Sequence, residues 1–209
     1  MRIPSLSLLA LCLTLAAAPA VADTIYSNGP ANGTTDAWTI NFGFVVSDTF
    51  TVGGDAIALN GLAFAAWLFP GDVLQSAEVT ITSDEFGGTT YFDQAVNFTQ
   101  SGCSGNQYGY NVCLESGSWS DAPIAPGSYW LNLQNAVVNN GDPIYWDENS
   151  GPSSASENSV GTVPSEAFTV LGETTTTNTS TTSVPEPSSI MLFGSGVLAL
   201  ANLVRRKLR

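Results

Sequence analysis

Histidine is absent from this chain, and lysine and arginine are absent from everything between its two ends. The only basic residues are Arg2, Arg205, Arg206, Lys207 and Arg209, whereas every aspartate and glutamate falls between Asp23 and Glu186. These gaps exclude whole classes of chemistry. Without an imidazole there is no Ser-His-Asp or Cys-His nucleophile and no histidine-based zinc site. Without Lys or Arg in the body there is nothing to grip a phosphate backbone, so nucleic acid is excluded as a partner. The formal net charge of −13 keeps copies of the chain apart and opposes docking on anionic lipid heads or phosphorylated sugars. Helical patterning is also missing: no window carries a convincing apolar stripe of period 3.6.

Cysteine is scarce, with three residues in the chain. Cys12 lies in the opening stretch MRIPSLSLLALCLTLAAAPAVADT, which has a positive residue at Arg2, an apolar run over Leu6–Ala17, and Ala20-Val21-Ala22 in the small-residue pattern of a signal cleavage site. Residues 1–22 are therefore expected to be a signal peptide, cut after Ala22. Leu9-Ala10-Leu11-Cys12 is a poor lipobox because Leu11 is bulky where a small residue is wanted. Cys103 and Cys113 then remain as an even pair in an oxidising compartment, and a structural disulfide is expected between them.

What is present in the body is short alternating runs separated by turn residues. Ala37–Asn41, Val45–Val52, Leu62–Phe69, Ala77–Ser83, Thr89–Phe92, Tyr108–Leu114, Tyr129–Leu133 and Ala167–Leu171 are predicted strands. Pro70-Gly71-Asp72 is a turn signal after the third run. The expected fold class is all-β: a β-sandwich of jelly-roll type over residues 23–171. Five tryptophans lie in the body, and some must pack the sheets together. Trp119 and Trp146, in the polar contexts GSWSD and YWDENSG, are the candidates for an exposed platform that stacks on sugar rings. Asp142, Asp147 and Glu148, in oxygen-rich loops, could take calcium, although the spacing does not match an EF-hand. Solvated loop acids are the blander alternative. No carboxylate pair stands out for glycoside hydrolysis, so no catalytic residue is assigned and the chain is not expected to be an enzyme. N-x-[ST] triplets at Asn32, Asn97 and Asn178 carry little weight by themselves.

After the body comes GETTTTNTSTTS over residues 172–183, a Ser/Thr tract with nothing to bury, expected to act as an extended stalk. The chain then ends, over residues 184–209, in VPEPSSIMLFGSGVLALANLVRRKLR. Ser188–Val204 carries no charge; as a helix it would span about 25 Å, the short end of a transmembrane segment. Arg205, Arg206, Lys207 and Arg209 follow at once and are expected to stay cytoplasmic, leaving the body outside. Pro185-Glu186-Pro187 holds the chain extended ahead of that helix.

This tail resembles a PEP-CTERM sorting signal, in which a Pro-Glu-Pro motif, a single span and an Arg-rich end occur in that order at the C-terminus. The resemblance implies that Val184, Pro185, Glu186 and Pro187 are read by an exosortase-type membrane protease of exopolysaccharide-producing Gram-negative bacteria. It further implies that the tail is removed and the body delivered from an inner-membrane intermediate to the cell surface or extracellular matrix. The runs GSYWLNLQNAV and YWDENSGPSSASEN also resemble ectodomains found ahead of such tails. The expected role is structural or interactive, with exopolysaccharide as a candidate partner. The alternative is a jelly-roll carbohydrate-binding module.

Overall fold

The computed structural model describes residues 22–174, and these form strands and turns with no helix among them. The first twenty-one residues, including Ala20 of the signal site, lie outside the described residues, as do the tract beyond Thr174, the sorting motif, the basic tail and the expected transmembrane helix.

Twelve strands follow in chain order: β1 (Asp23–Ser27), β2 (Ala37–Thr39), β3 (Val45–Val52), β4 (Ala56–Leu68), β5 (Leu74–Asp84), β6 (Gly87–Gly105), β7 (Asn111–Pro123), β8 (Gly127–Val138), β9 (Tyr145–Asp147), β10 (Ala155–Glu157), β11 (Gly161–Val163) and β12 (Phe168–Thr174). Alternation sets their faces. In β3, Val46, Phe50 and Val52 turn inward, and Phe50 is 1% exposed. In β5, Ala77, Val79 and Ile81 do the same. The predicted turn at Pro70-Gly71-Asp72 forms, with Asp72 N–H donating to the Phe69 carbonyl at 3.0 Å and Gly71 at φ 95°.

The strands make one curled antiparallel sheet in the order β1-β12-β4-β7-β6-β5-β8-β3-β10-β11. The pairings are nested: β5 with β6, β4 with β7, β3 with β8, and β1 with β12. The curl is made by β6, whose first part pairs with β5 and whose last part, from Phe98 onward, pairs with β7. Two layers result, β1-β12-β4-β7 and β3-β8-β5-β6. One core lies between them, built from residues such as Leu62, Phe64, Phe98, Phe168, Val79 and Leu131. Burying a side chain of this kind is worth about 1.5–3 kcal/mol. The short strands β2 and β9 pair with each other, and β9 also pairs with the end of β4.

The boundary expected after Leu171 moves. Gly172, Glu173 and Thr174 continue β12, opposite Leu59, Ala58 and Ala56 of β4. The start of the expected stalk is therefore part of the sheet. The Ser/Thr composition of the following residues hid that, because Gly172-Glu173-Thr174 carries no large apolar side chain to mark it as part of a strand.

Candidate functional site

At one end of the core the apolar packing gives way to acids. Asn28, just after β1, is fully buried. Its amide donates to Ser153 Oγ (2.6 Å), the Glu166 carbonyl (2.6 Å) and Asp48 Oδ2 (3.3 Å). Asp48 lies on the inward face of β3 and also accepts the Glu166 backbone N–H at 2.7 Å. Glu166 is fully buried and neither of its carboxylate oxygens has a partner. Glu148 pairs with it through an isolated bridge. Among the described residues there is no Lys, Arg or His to offset these charges. Burial therefore pushes the Asp48 carboxyl up to about 6, against the hydrogen bonds from Ser153, Glu166 and Thr49. Glu166 is driven well above its usual range by burial, reinforced by the charges of Asp48, Glu148, Asp147 and Asp36. Above this network, the loop at Asn28–Asn32 and the loop at Asn149–Pro152 enclose a cleft of about 560 Å³. Asn149 ties the two loops together, donating to the Asn28 carbonyl at 2.8 Å.

A second buried acid sits within the sheet. Glu115 of β7 shares the inward face with Cys113 and is fully buried, with both oxygens unpartnered. Burial alone raises it to about 7.

The expected disulfide is present: Cys103 and Cys113 are bonded, with Cα atoms 4.1 Å apart. The expected sugar platform is not assembled. Trp146 is fully buried; its indole N–H donates to the Ala167 carbonyl at 3.1 Å and its ring packs edge-on against Phe64 and Phe168. Trp119 is half-buried, stacks on Phe92 with centroids 4.5 Å apart and donates to the Leu59 carbonyl. Both tryptophans close the core. The polar neighbours that suggested exposure belong to the opposite face of the strand, as Asp147 does beside Trp146.

The three acids offered to calcium are not gathered into one set of three. Asp147 is buried on the face of β9 opposite Trp146 and is already taken, accepting the Asn32 N–H (2.6 Å), the Gly33 N–H (2.8 Å) and the Trp67 indole N–H (2.5 Å). Glu148 accepts from the Trp38 indole N–H at 3.2 Å. Asp142 is half-exposed, and its carbonyl accepts from the Asn41 amide at 3.0 Å. Among the described residues no group of three acids, cysteines or histidines is poised for a metal ion.

A different aromatic cluster occupies the outer face, outside the main core. Trp67 stacks on Tyr108 (5.5 Å, 22°) and packs against Tyr110 (5.8 Å), and Tyr110 packs against Phe69 (4.9 Å) and Tyr145 (5.5 Å). Tyr108 is 54% exposed and Phe69 38%. Part of this cluster was legible in the sequence: Trp67 and Phe69 are two apart at the end of β4, so period two places them on one face, whereas Tyr108 and Tyr110 are brought there by the turn between β6 and β7.

Residues 183–207 match the family model described as the PEP-CTERM protein-sorting motif. No curated protein matches the chain.

Proposed function

From a chain that ends in a PEP-CTERM protein-sorting motif, the C-terminal sorting signal of exported proteins and the recognition signal for exosortase processing, we propose a surface or matrix protein delivered through that signal and cut from it. In this reading residues 1–22 direct export and are removed. Ser188–Val204 holds the chain in the membrane while Val184–Pro187 is presented, and the curled sheet is the cargo left outside. The role of the cargo is structural or interactive rather than enzymatic. Its support is the body itself, which has no Lys, Arg or His with which to run common nucleophilic or phosphoryl chemistry. The nested pairing of the strands supports a jelly-roll description, since that fold is a rolled hairpin of two Greek keys.

The observation that carries the proposal is the match over residues 183–207. Mass spectrometry of the mature protein from a producing cell tests it. The expected product starts at Asp23 and lacks the Arg205–Arg209 tail, and Glu186→Ala leaves the tail in place. Recovery of an unprocessed chain from wild-type cells that hold an active exosortase would overturn it.

A further inference from the structure

The outer-face aromatic cluster is joined to a hairpin tip that is fixed from several sides. The β6–β7 turn runs from Gly105 to Asn111. Asn106 closes it by donating its backbone N–H to the Tyr110 carbonyl at 2.8 Å and accepting, through Oδ1, the Tyr108 and Tyr110 N–H groups at 3.0 Å each. The disulfide clamps the two strands just behind the turn. The Gln107 amide and the Tyr108 hydroxyl both donate to the Thr34 carbonyl, at 3.3 and 3.2 Å. The Thr34 loop is itself held down by Asp147, which also accepts from Trp67. Tyr108 is thus stacked on Trp67 and tied at its hydroxyl, yet more than half exposed.

The outer layer of a two-layered antiparallel sheet is ordinarily polar. Here it carries a row of rings, Tyr108–Trp67–Tyr110–Phe69, in centroid steps of 4.9 to 5.8 Å. The side chains that hold the turn at the row's exposed end belong to Asn106 and Gln107, both amides. We propose that this face binds a neutral polysaccharide, with Tyr108 and Phe69 as the rings on which sugar units stack. The C–H faces of a pyranose suit an aromatic ring, and the amides suit its hydroxyls. Fixing the rings before binding removes the ordering cost that a mobile aromatic would impose. Charge sets the class of sugar: with no cation in the described residues and a carboxylate beneath Trp67, a uronic-acid polymer is repelled. This inference does not depend on how the C-terminus is processed.

Affinity electrophoresis of the full chain in a polyoxyethylene detergent tests it, with dextran, hydroxyethyl cellulose, galactomannan and anionic alginate cast separately into native gels. At least one neutral polymer should retard the protein, and alginate should not. Tyr108→Ala and Phe69→Ala should each weaken the retardation about three- to tenfold. Tyr108→Phe, which keeps the ring, should retain it. Tyr91→Ala, removing a 45%-exposed ring on the other layer, should leave it unchanged. Near-ultraviolet circular dichroism reports whether each variant is folded. The proposal is overturned by a lack of retardation in all three neutral gels, by equal retardation in alginate, or by equal losses for Tyr91→Ala and Tyr108→Ala. Sedimentation velocity showing that Tyr108→Ala dissolves a dimer without altering retardation would assign the face to a second copy instead.

Discussion

Glu166 ionises in the unfolded chain near the ordinary glutamate value, but in the folded protein it keeps its proton to a much higher pH, because the site is dry and the charges around it are negative. Asp48 and Glu115 behave alike, at about 6 and about 7. An acid whose folded pKa is raised gives full stability below its unfolded pKa. Above that the unfolded state loses its proton first, and stability falls with rising pH until the folded pKa is passed. The window here opens near pH 4 and runs past pH 7. The melting temperature should therefore be higher at pH 5 than at pH 8, the reverse of ordinary acid denaturation. Glu166→Gln, which cannot ionise, should flatten the profile and raise stability at pH 8 by about 1–3 kcal/mol. Thermal unfolding followed by circular dichroism across pH 4–9 checks both. A profile that rises toward pH 8, or a Gln variant weaker than wild type throughout, would refute the account. Nothing in the sequence marked these residues: a body without cations suggests acids left in water, yet Asp48, Glu115 and Glu166 are inside.

At the scale of strands, legibility followed alternation. Ala77–Ser83 alternates apolar and polar side chains and forms the heart of β5, and Phe50 and Val52, two apart, share the inward face of β3. In β6, by contrast, the buried side chains are Phe92, Val96 and Phe98, while most others face water on either side. Those three share one parity, but polar Thr90, Gln94 and Gln100 stand among them on the same parity, so only Thr89–Phe92 could be recognised. Parity explains the tryptophans too, since local polarity cannot say which of Trp146 and Asp147 points inward. Two substitutions probe individual elements. A Cβ at Gly172 would collide with the Ala58 carbonyl on the neighbouring strand. Gly172→Ala should therefore destabilise the body by about 1–3 kcal/mol, measured by chemical denaturation. Cys103→Ser with Cys113→Ser opens a loop of sequence separation 10. The loss should be about 3 kcal/mol at most. It should concentrate at the hairpin, where limited proteolysis would cut between residues 103 and 113 in the variant and not in wild type.

As a whole the body is a polyanion with no compensating cation, and this dictates what it can meet. It should pass unretarded through heparin and DNA columns even at low salt, and bind an anion exchanger until high salt, since retention follows the sign of the surface field. Heparin binding by the residues 23–174 portion would contradict that reading.

The first and last strands of the body are hydrogen-bonded neighbours, with Asp23 opposite Gly172 and the Thr174 hydroxyl on the Asp23 carboxylate at 2.8 Å. Strand β12 is also the neighbour of β4. Whatever emerges first from a ribosome or a translocation pore must wait for nearly the entire polypeptide before it finds its place. Such long-range closure is slow, and it leaves an adhesive margin open in the meantime. A thread that cannot lock prematurely suits passage through a narrow conduit. The last body strand completes the roll only once residues 168–174 can pair with both β1 and β4.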